Sequence, residues 1–388
     1  MDIERSWRLS FRQQILFEVG GARRIGQHVE QFNPRTILVV TDRGLTQAGI
    51  VDDVFEGLRA VRCEWRLFDG VQADPPAEVI MQVARDIEGS GVDLIVALGG
   101  GSSIDTGKAI AAMATNGGHI LDYAGLNRIP IPPLPIVAIP TTAGTGSEST
   151  NVAIITDTNT HAKLPVSSDK LLPSLALLDP ALLRACPSKI AAGSGMDALS
   201  HAIEAYLTAA ANPITDSIAC EAIRLIGRSL RTFVGNPGDL RAAADMLVAS
   251  GLAGMAVSID GLRLGAPHAM SESLTRVCSI HHGASCGLLL PAAMDYLLTT
   301  ATEKLRRISE LIGLDLGGLS AEDAARRAVD YVASLQRDLG LPTRLSQVGV
   351  KEEHLRPMAQ TTMTKRYLEW NPRPLTEDAV VEIYRSAL

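Results

Sequence analysis

The sequence predicts an α/β domain built on a parallel sheet, followed by an all-helical domain. Two observations carry this expectation. In the first half, short and almost unbroken apolar runs alternate with helical patterns, and each run ends in a polar or glycine-rich loop. Strand–helix–strand order with continuously apolar strands is the pattern of a parallel sheet covered on both faces. After Asp179-Pro180 the strand signal fades, and long Ala/Leu-rich segments punctuated by Gly and Pro take over.

Each element has its own warrant. Residues 36–41 form a strand that ends at Asp42, residues 94–98 a strand that ends at Gly99-Gly100-Gly101, and residues 136–139 a strand that ends at Pro140-Thr141-Thr142. Helical patterns occupy 76–88 and 105–114 between them, then 216–233 and 240–257 in the second half. Gly235-Asn236-Pro237-Gly238 and Gly340-Leu341-Pro342 break the later helices. The expected division is therefore residues 1–179 and 180–388, without internal repeats.

Composition narrows the function. The chain has 388 residues, 46% of them hydrophobic and 20% charged, enough for a large buried core. The net charge of −7 argues against nucleic acid and against an anionic membrane surface. The opening residues 1–10 are charged and lack the apolar core of a signal peptide. Apolar runs are cut by Asp, Lys, Gly or Pro before membrane-spanning length, so no membrane partner is expected. Five widely spaced cysteines without a Cys-x-x-Cys read as reduced thiols of a cytoplasmic protein. Cys278 and Cys286 flank His281-His282, and the pair reads as two small buried side chains in preference to a zinc knot.

Two loops have the makings of a phosphate cradle. In Gly99-Gly100-Gly101-Ser102-Ser103-Ile104-Asp105, glycines after a strand let backbone N–H groups approach a pyrophosphate, and the serines add donors or caps. The spacing is neither Gly-x-Gly-x-x-Gly nor a P-loop. Pro140-Thr141-Thr142-Ala143-Gly144-Thr145-Gly146-Ser147-Glu148 is a second polar loop at a strand end. In an open parallel sheet, ligands bind at the carboxyl ends of strands, so these loops and Asp42 converge on a dinucleotide. Asp42 in that place would take a ribose hydroxyl pair and repel a 2′-phosphate, favouring NAD over NADP. Its alternative role is a helix N-cap.

A metal constellation lies in the second half. Asp197 and His201 are four apart and share a helix face, with Glu204 near that face as a partner for His201. His268 and His282 come from separate elements. One carboxylate and three imidazoles suit Fe2+ or Zn2+. Neighbours on a helix point apart, so at most one of His281 and His282 is a ligand, and position alone does not choose between them.

These motifs, joined by Pro187, Gly195-Met196-Asp197-Ala198-Leu199-Ser200-His201-Ala202-Ile203-Glu204, Ala266-Pro267-His268-Ala269-Met270, His282-Gly283 and Leu290-Pro291, resemble the iron-dependent (group III) alcohol dehydrogenases over nearly the whole chain. The resemblance implies a dehydroquinate synthase-like fold: an NAD-binding α/β domain, a helical metal-binding domain and a cleft between them. It implies Asp197, His201, His268 and His282 as ligands. It places Asp42, Gly100, Gly101, Ser102, Thr141, Thr142, Ser147 and Lys163 at the cofactor, with Asp105 closing the same glycine motif. The chain departs from the family at Glu272, where many members carry a second His, and at Asp74, where an Asn is common. Glu272, beside the ligand His268, is expected to relay a proton or to shape a polar pocket. The implied activity is metal-dependent hydride transfer between a nicotinamide and an alcohol, aldehyde or ketone, in a homo-oligomer. The alternatives are a specialised reductase of the maleylacetate reductase or phosphonate type, the elimination and cyclisation chemistry of dehydroquinate synthases, and a non-catalytic nucleotide-binding protein.

Overall fold

The computed structural model describes Trp7, residues 11–259 and residues 263–388. The charged opening segment considered above therefore lies, apart from Trp7, outside the described residues. The chain forms two compact units. One contains residues 11–142 and 146–186; the other contains residues 143–145 and 187–388.

The first unit carries strands β1 (Gln14–Phe17), β2 (Thr36–Val40), β3 (Glu64–Phe68), β4 (Val92–Gly99), β5 (Gly125–Leu126), β6 (Ile136–Pro140), β7 (Val152–Asp157), β8 (Ala162–Ser167) and β9 (Leu175–Leu178). Its helices are α1 (Ile25–Val29), α2 (Arg43–Gln47), α3 (Ile50–Leu58), α4 (Ala77–Ile87) and α5 (Gly101–Met113). The main sheet has the order β1-β9-β6-β4-β2-β3, and every pairing in it is parallel. Alternate residues of one strand feed opposite cores. Leu38 and Val40 pack with Ile80, Ile95 and Ile110, whereas Ile37 and Val39 pack with Val54, Leu94 and Val96. That two-sided burial is why the strands read as unbroken apolar runs. β7 and β8 form an antiparallel hairpin joined by β5 into a second, three-stranded sheet. The hairpin and the edge strands β1 and β3 escaped the sequence reading because exposed faces mix polar residues into them.

This unit extends past Asp179 to Cys186. The Asp179 carboxylate accepts the backbone N–H of Gly20 (2.9 Å), Ala22 (3.1 Å) and Ala181 (3.0 Å), tying the turn after β9 back onto the sheet.

The second unit is helical: α6 (Ser188–Leu207), α7 (Pro213–Gly235), α8 (Leu240–Ser258), α9 (Ala266–Leu274), α10 (His282–Tyr296), α11 (Thr302–Leu311), α12 (Ala321–Asp338), α13 (Glu352–Met363) and α14 (Glu377–Ala387). α8 corrects the expectation about apolar runs: it is long and apolar enough to cross a membrane by length and composition. Its interruptions, Asp245, Gly251 and Gly254, are too few and too weak to break a helix. Ala243, Met246, Leu247, Ala249, Ala253 and Ala256 are fully buried, which marks it as a core helix of this unit.

Candidate active site

α6 is buried from Ala191 to Leu207, so the polar side chains Asp197, His201 and Glu204 sit in the unit's interior. Such groups are stable there only with partners or a cation. The start of α10 reaches them because Gly283 has no side chain. A Cβ on Gly283 would stand 2.2 Å from the Gly193 carbonyl oxygen and 2.7 Å from Asp197 Cβ. His282, one residue earlier, is thereby set beside Asp197, while His281 is exposed at the N-cap of α10.

Two imidazoles are aimed at Asp197. His268 donates from Nδ1 to Glu204 Oε1 (2.5 Å), and Glu204 Oε2 accepts the Gly265 N–H (2.6 Å). With Nδ1 committed to Glu204, His268 turns Nε2 toward Asp197 Oδ1, 3.6 Å away, and this is the ring nitrogen left to meet an ion. Ser271 Oγ lies 3.4 Å from His282 Nδ1, and His282 Nε2 is 3.7 Å from the same Asp197 oxygen. The two gaps to Asp197 are too long for hydrogen bonds. Asp197 Oδ1 and His268 Nε2 are buried without any partner. Atoms bound tetrahedrally to one ion at 2.0–2.2 Å stand roughly 3.3–3.6 Å apart, so the spacing suits a shared cation.

The gathered group is Asp197, His268, His282 and Cys286, whose ligand atoms all lie within 4.8 Å of one another. His201 stands outside it. Its ring stacks on His268, with centroids 4.5 Å apart and planes 20° apart, and its Nδ1 is buried without a partner. Glu204 turns out to orient His268, not His201. It lies seven residues beyond Asp197, two turns along the same face, level with α9.

The electrostatics call for positive charge. Burial works against an ionised Asp197, but His201, His268 and His282 outweigh it and hold its pKa well below the usual carboxylate range. Burial pushes His201 down to about 4, so it is neutral. Burial also opposes a charge on His268, yet Cys286 and Glu204 lift its pKa. Cys286 is raised by burial and lowered more by His268 and His282.

Glu272, one turn beyond His268, is ion-paired with Lys365 in a half-buried contact. Its carboxylate is thus held by a cation that sequence spacing did not reveal.

In the first unit, β6, β4 and β2 are neighbours and parallel, so Thr141-Thr142, Gly99-Gly100-Gly101 and Asp42 share one sheet edge. Gly100 caps α5 without a side-chain hydrogen bond, and the Thr142 side chain lies against it. Ser102 sits in the first turn of α5, where its carbonyl accepts from Thr106. Gly99 has φ 147°, and a Cβ there would strike Ser103 Oγ at 2.4 Å. Asp42 acts as the N-cap of α2, accepting the Leu45 N–H at 3.1 Å.

Asp105 and Ser147, grouped with the cofactor contacts above, are instead buried and spent on each other. Ser147 donates to Asp105 Oδ1 (2.5 Å) and accepts from Lys108 Nζ (3.0 Å), while Asp105 Oδ2 accepts the Ile154 N–H. Lys108, fully buried, also donates to the Thr150 and Val152 carbonyls (2.9 and 2.8 Å). The network joins the glycine helix to the second loop from beneath. Lys163 pairs with Asp74 (2.7 Å), which has the left-handed φ of 55° that suits Asn or Asp.

Comparison with known proteins places the whole chain. The "Iron-containing alcohol dehydrogenase" family matches residues 12–180, and "Fe-containing alcohol dehydrogenase family, C-terminal" matches residues 191–388. The chain belongs to the iron-containing alcohol dehydrogenase family. It is 36% identical over 369 residues to the NAD-dependent methanol dehydrogenase of Bacillus methanolicus, covering 95% of this chain and 96% of that protein. It is 38% identical over 365 residues to the 1,3-propanediol dehydrogenase of Klebsiella pneumoniae, covering 94% of each. Among solved structures, 1,3-propanediol oxidoreductase superposes with a TM-score of 0.95 at 37% identity, covering 99% of this chain and 100% of that one. The fold is thus the dehydroquinate synthase-like plan, and the protein is a metal-containing, nicotinamide-dependent oxidoreductase of alcohols and aldehydes.

Glu204 behind His268 and Lys365 on Glu272 escaped the sequence reading, and Cys286, set aside there as a small buried side chain, lies within the gathered group. Cys286 is four residues after His282 on one helix, the same spacing that singled out Asp197 and His201.

Proposed function

We propose that Asp197, His268 and His282 hold a divalent cation, Fe2+ or Zn2+, with His201 stacked beside them, and that the enzyme interconverts small primary alcohols and aldehydes using NAD(H). The observation that carries this reading is the pair of bare, buried atoms, Asp197 Oδ1 and His268 Nε2, aimed at one another across 3.6 Å. When bound, the cation acidifies an alcohol hydroxyl or polarises a carbonyl, and the nicotinamide carries the hydride. Glu204 keeps the His268 proton on Nδ1, so Nε2 stays a lone-pair donor. The His282 side chain is 38% exposed, against 4% for His268, so the group is reached from its side.

Thr141, Thr142, Gly100, Gly101 and Ser102 cradle the dinucleotide phosphates at the sheet edge, where the first turn of α5 offers its backbone N–H groups. Asp42 takes the adenosine ribose and disfavours a 2′-phosphate. Asp105, Ser147 and Lys108 hold these loops in register, and Lys163 with Asp74 fixes the hairpin nearby. Glu272, paired with Lys365, gives the metal helix a polar neighbour suited to a hydroxylated substrate. A second copy of the chain is the expected partner, because the edge strand β1 exposes Ile15 and Phe17.

The test is a panel of alcohols and aldehydes, neutral and anionic, with NAD(H) and NADP(H), after loading with Fe2+ or Zn2+. Asp197→Ala and His268→Ala are expected to lose metal and turnover together. Full turnover in either variant without metal would refute the reading.

A further inference from the structure

We propose that Ser271 and Ser285 are positioning residues for the reaction: a chain of two buried hydroxyls fixes which nitrogen of His282 keeps its hydrogen, and so leaves Nε2 to the cation. The inference rests on the metal-dependent reading above and concerns how His282 is prepared as a ligand.

Two helices build the chain. On α9, His268 is followed one turn later by Ser271, and on α10, His282 is followed one turn later by Ser285. Residues three apart share a helix face, so the faces that present the two imidazoles also present the two serines. Ser271 Oγ and Ser285 Oγ are hydrogen-bonded to each other across the helix pair. Both residues are 0% exposed, so neither hydroxyl reaches bulk water.

The direction of each bond follows from the inventory of hydrogens. Ser285 Oγ lies 2.6 Å from the His282 carbonyl oxygen, which can only accept, so the single hydroxyl hydrogen of Ser285 points there. Ser285 therefore accepts from Ser271, and that bond takes the single hydrogen of Ser271. Ser271 Oγ is left with lone pairs only, and it stands 3.4 Å from His282 Nδ1. Nδ1 must then carry a hydrogen, since two lone pairs facing each other in a dry interior leave both groups unsatisfied. Nε2, 3.7 Å from Asp197 Oδ1, is the nitrogen that meets an ion. In the opposite arrangement Ser271 would donate to Nδ1 and Ser285 to Ser271. The Ser285 oxygen would then face the His282 carbonyl at 2.6 Å with no hydrogen between them. Glu204 holds His268 by the same logic through a carboxylate, whereas His282 is held by neutral hydroxyls at a longer distance.

Zinc affinity of the full-length protein, measured by competition with a chromophoric chelator, tests this. Ser271→Ala removes the acceptor at Nδ1 and is expected to weaken zinc binding about tenfold. Ser285→Ala makes no change at the imidazole itself, yet it frees the Ser271 hydrogen to turn toward Nδ1, so a loss of about the same size is expected. Because both act through one bond, the double variant should bind no more weakly than Ser271→Ala alone. Nitrogen NMR of the zinc-loaded wild type with labelled histidine, assigned with His282→Gln, gives a readout that needs no serine variant: zinc on Nε2 and a hydrogen on Nδ1 of His282. Zinc on Nδ1, wild-type affinity in both single variants, or additive losses in the double variant would overturn the serine chain and leave the metal-dependent reading standing. A wild-type protein that retains no divalent metal would overturn both.

Discussion

Replacing Glu204 by Gln changes one atom and reverses the direction of one proton. In the wild type one carboxylate oxygen accepts from His268 Nδ1 (2.5 Å), and the other accepts from the Gly265 N–H (2.6 Å) and, at 3.5 Å, from the His268 backbone N–H. An amide has one accepting oxygen and one donating nitrogen. If the new amide oxygen keeps Gly265, the amide NH2 faces His268 Nδ1 and drives the ring proton to Nε2. That proton then points at Asp197 Oδ1, 3.6 Å away, and blocks the lone pair that would bind metal. Loss of such an orienting carboxylate weakens metal affinity about 10–100-fold, which is about 1.4–2.8 kcal/mol. The metal-stripped variant should be no less stable than the metal-stripped wild type, because Asp197 and His268 now satisfy each other with a contraction of a few tenths of an ångström. Competition with a chromophoric chelator measures the affinity, and thermal unfolding of the stripped proteins measures the second effect. Equal metal affinity in Glu204→Gln and wild type would refute the tautomer argument.

Gly283→Ala places a methyl 2.2 Å from a backbone oxygen that cannot yield. α10 must shift, so the variant should lose about 1–3 kcal/mol of stability together with most of its bound metal, read by denaturant titration and metal analysis. Glu148 is buried to 1% exposure, and burial raises its pKa from 4.5 to about 7 against the pull of Lys108. The folded state then binds the extra proton between those values, so this group's contribution to stability is full below 4.5 and declines as pH rises to 7. Glu148→Gln removes that decline, and its stability relative to wild type should climb with pH by up to about 3 kcal/mol across the window, then level off; urea titrations at several pH values would show a flat difference if the carboxyl were not involved. Asp42→Asn keeps an N-cap acceptor for Leu45 but drops the charge. It should raise the ratio of kcat/KM with NADP+ to that with NAD+ by roughly tenfold, and an unchanged ratio would remove Asp42 from the ribose site.

The apolar runs ending at Asp42, Gly99 and Thr141 marked three of the four interior strands of the main sheet, because two-sided burial imposes an unbroken apolar pattern on a parallel sheet, while β9 (Leu175–Leu178), equally apolar and buried, was missed as a run of only four residues. The helix after the glycine loop begins at Gly101 rather than Asp105, since the serines entered its first turn instead of preceding it. β1, β3 and the β7–β8 hairpin have solvated faces and left no such pattern.

From the amino-acid order alone came the division into a sheet-bearing half and a helical half, the family, and the presence of a carboxylate and imidazoles suited to one cation. Periodicity fixes which residues share a face of one helix, and those inferences needed nothing else. Packing decided what crosses between elements. Glu204 reaches His268 rather than His201 because α9 lies against that turn of α6. His282 joins Asp197 because Gly283 lets α10 touch the Gly193 carbonyl. Asp105 and Ser147 turn to each other, and Glu272 to Lys365, because a buried polar group takes whichever partner the fold brings within reach, and sequence separation places no limit on that choice.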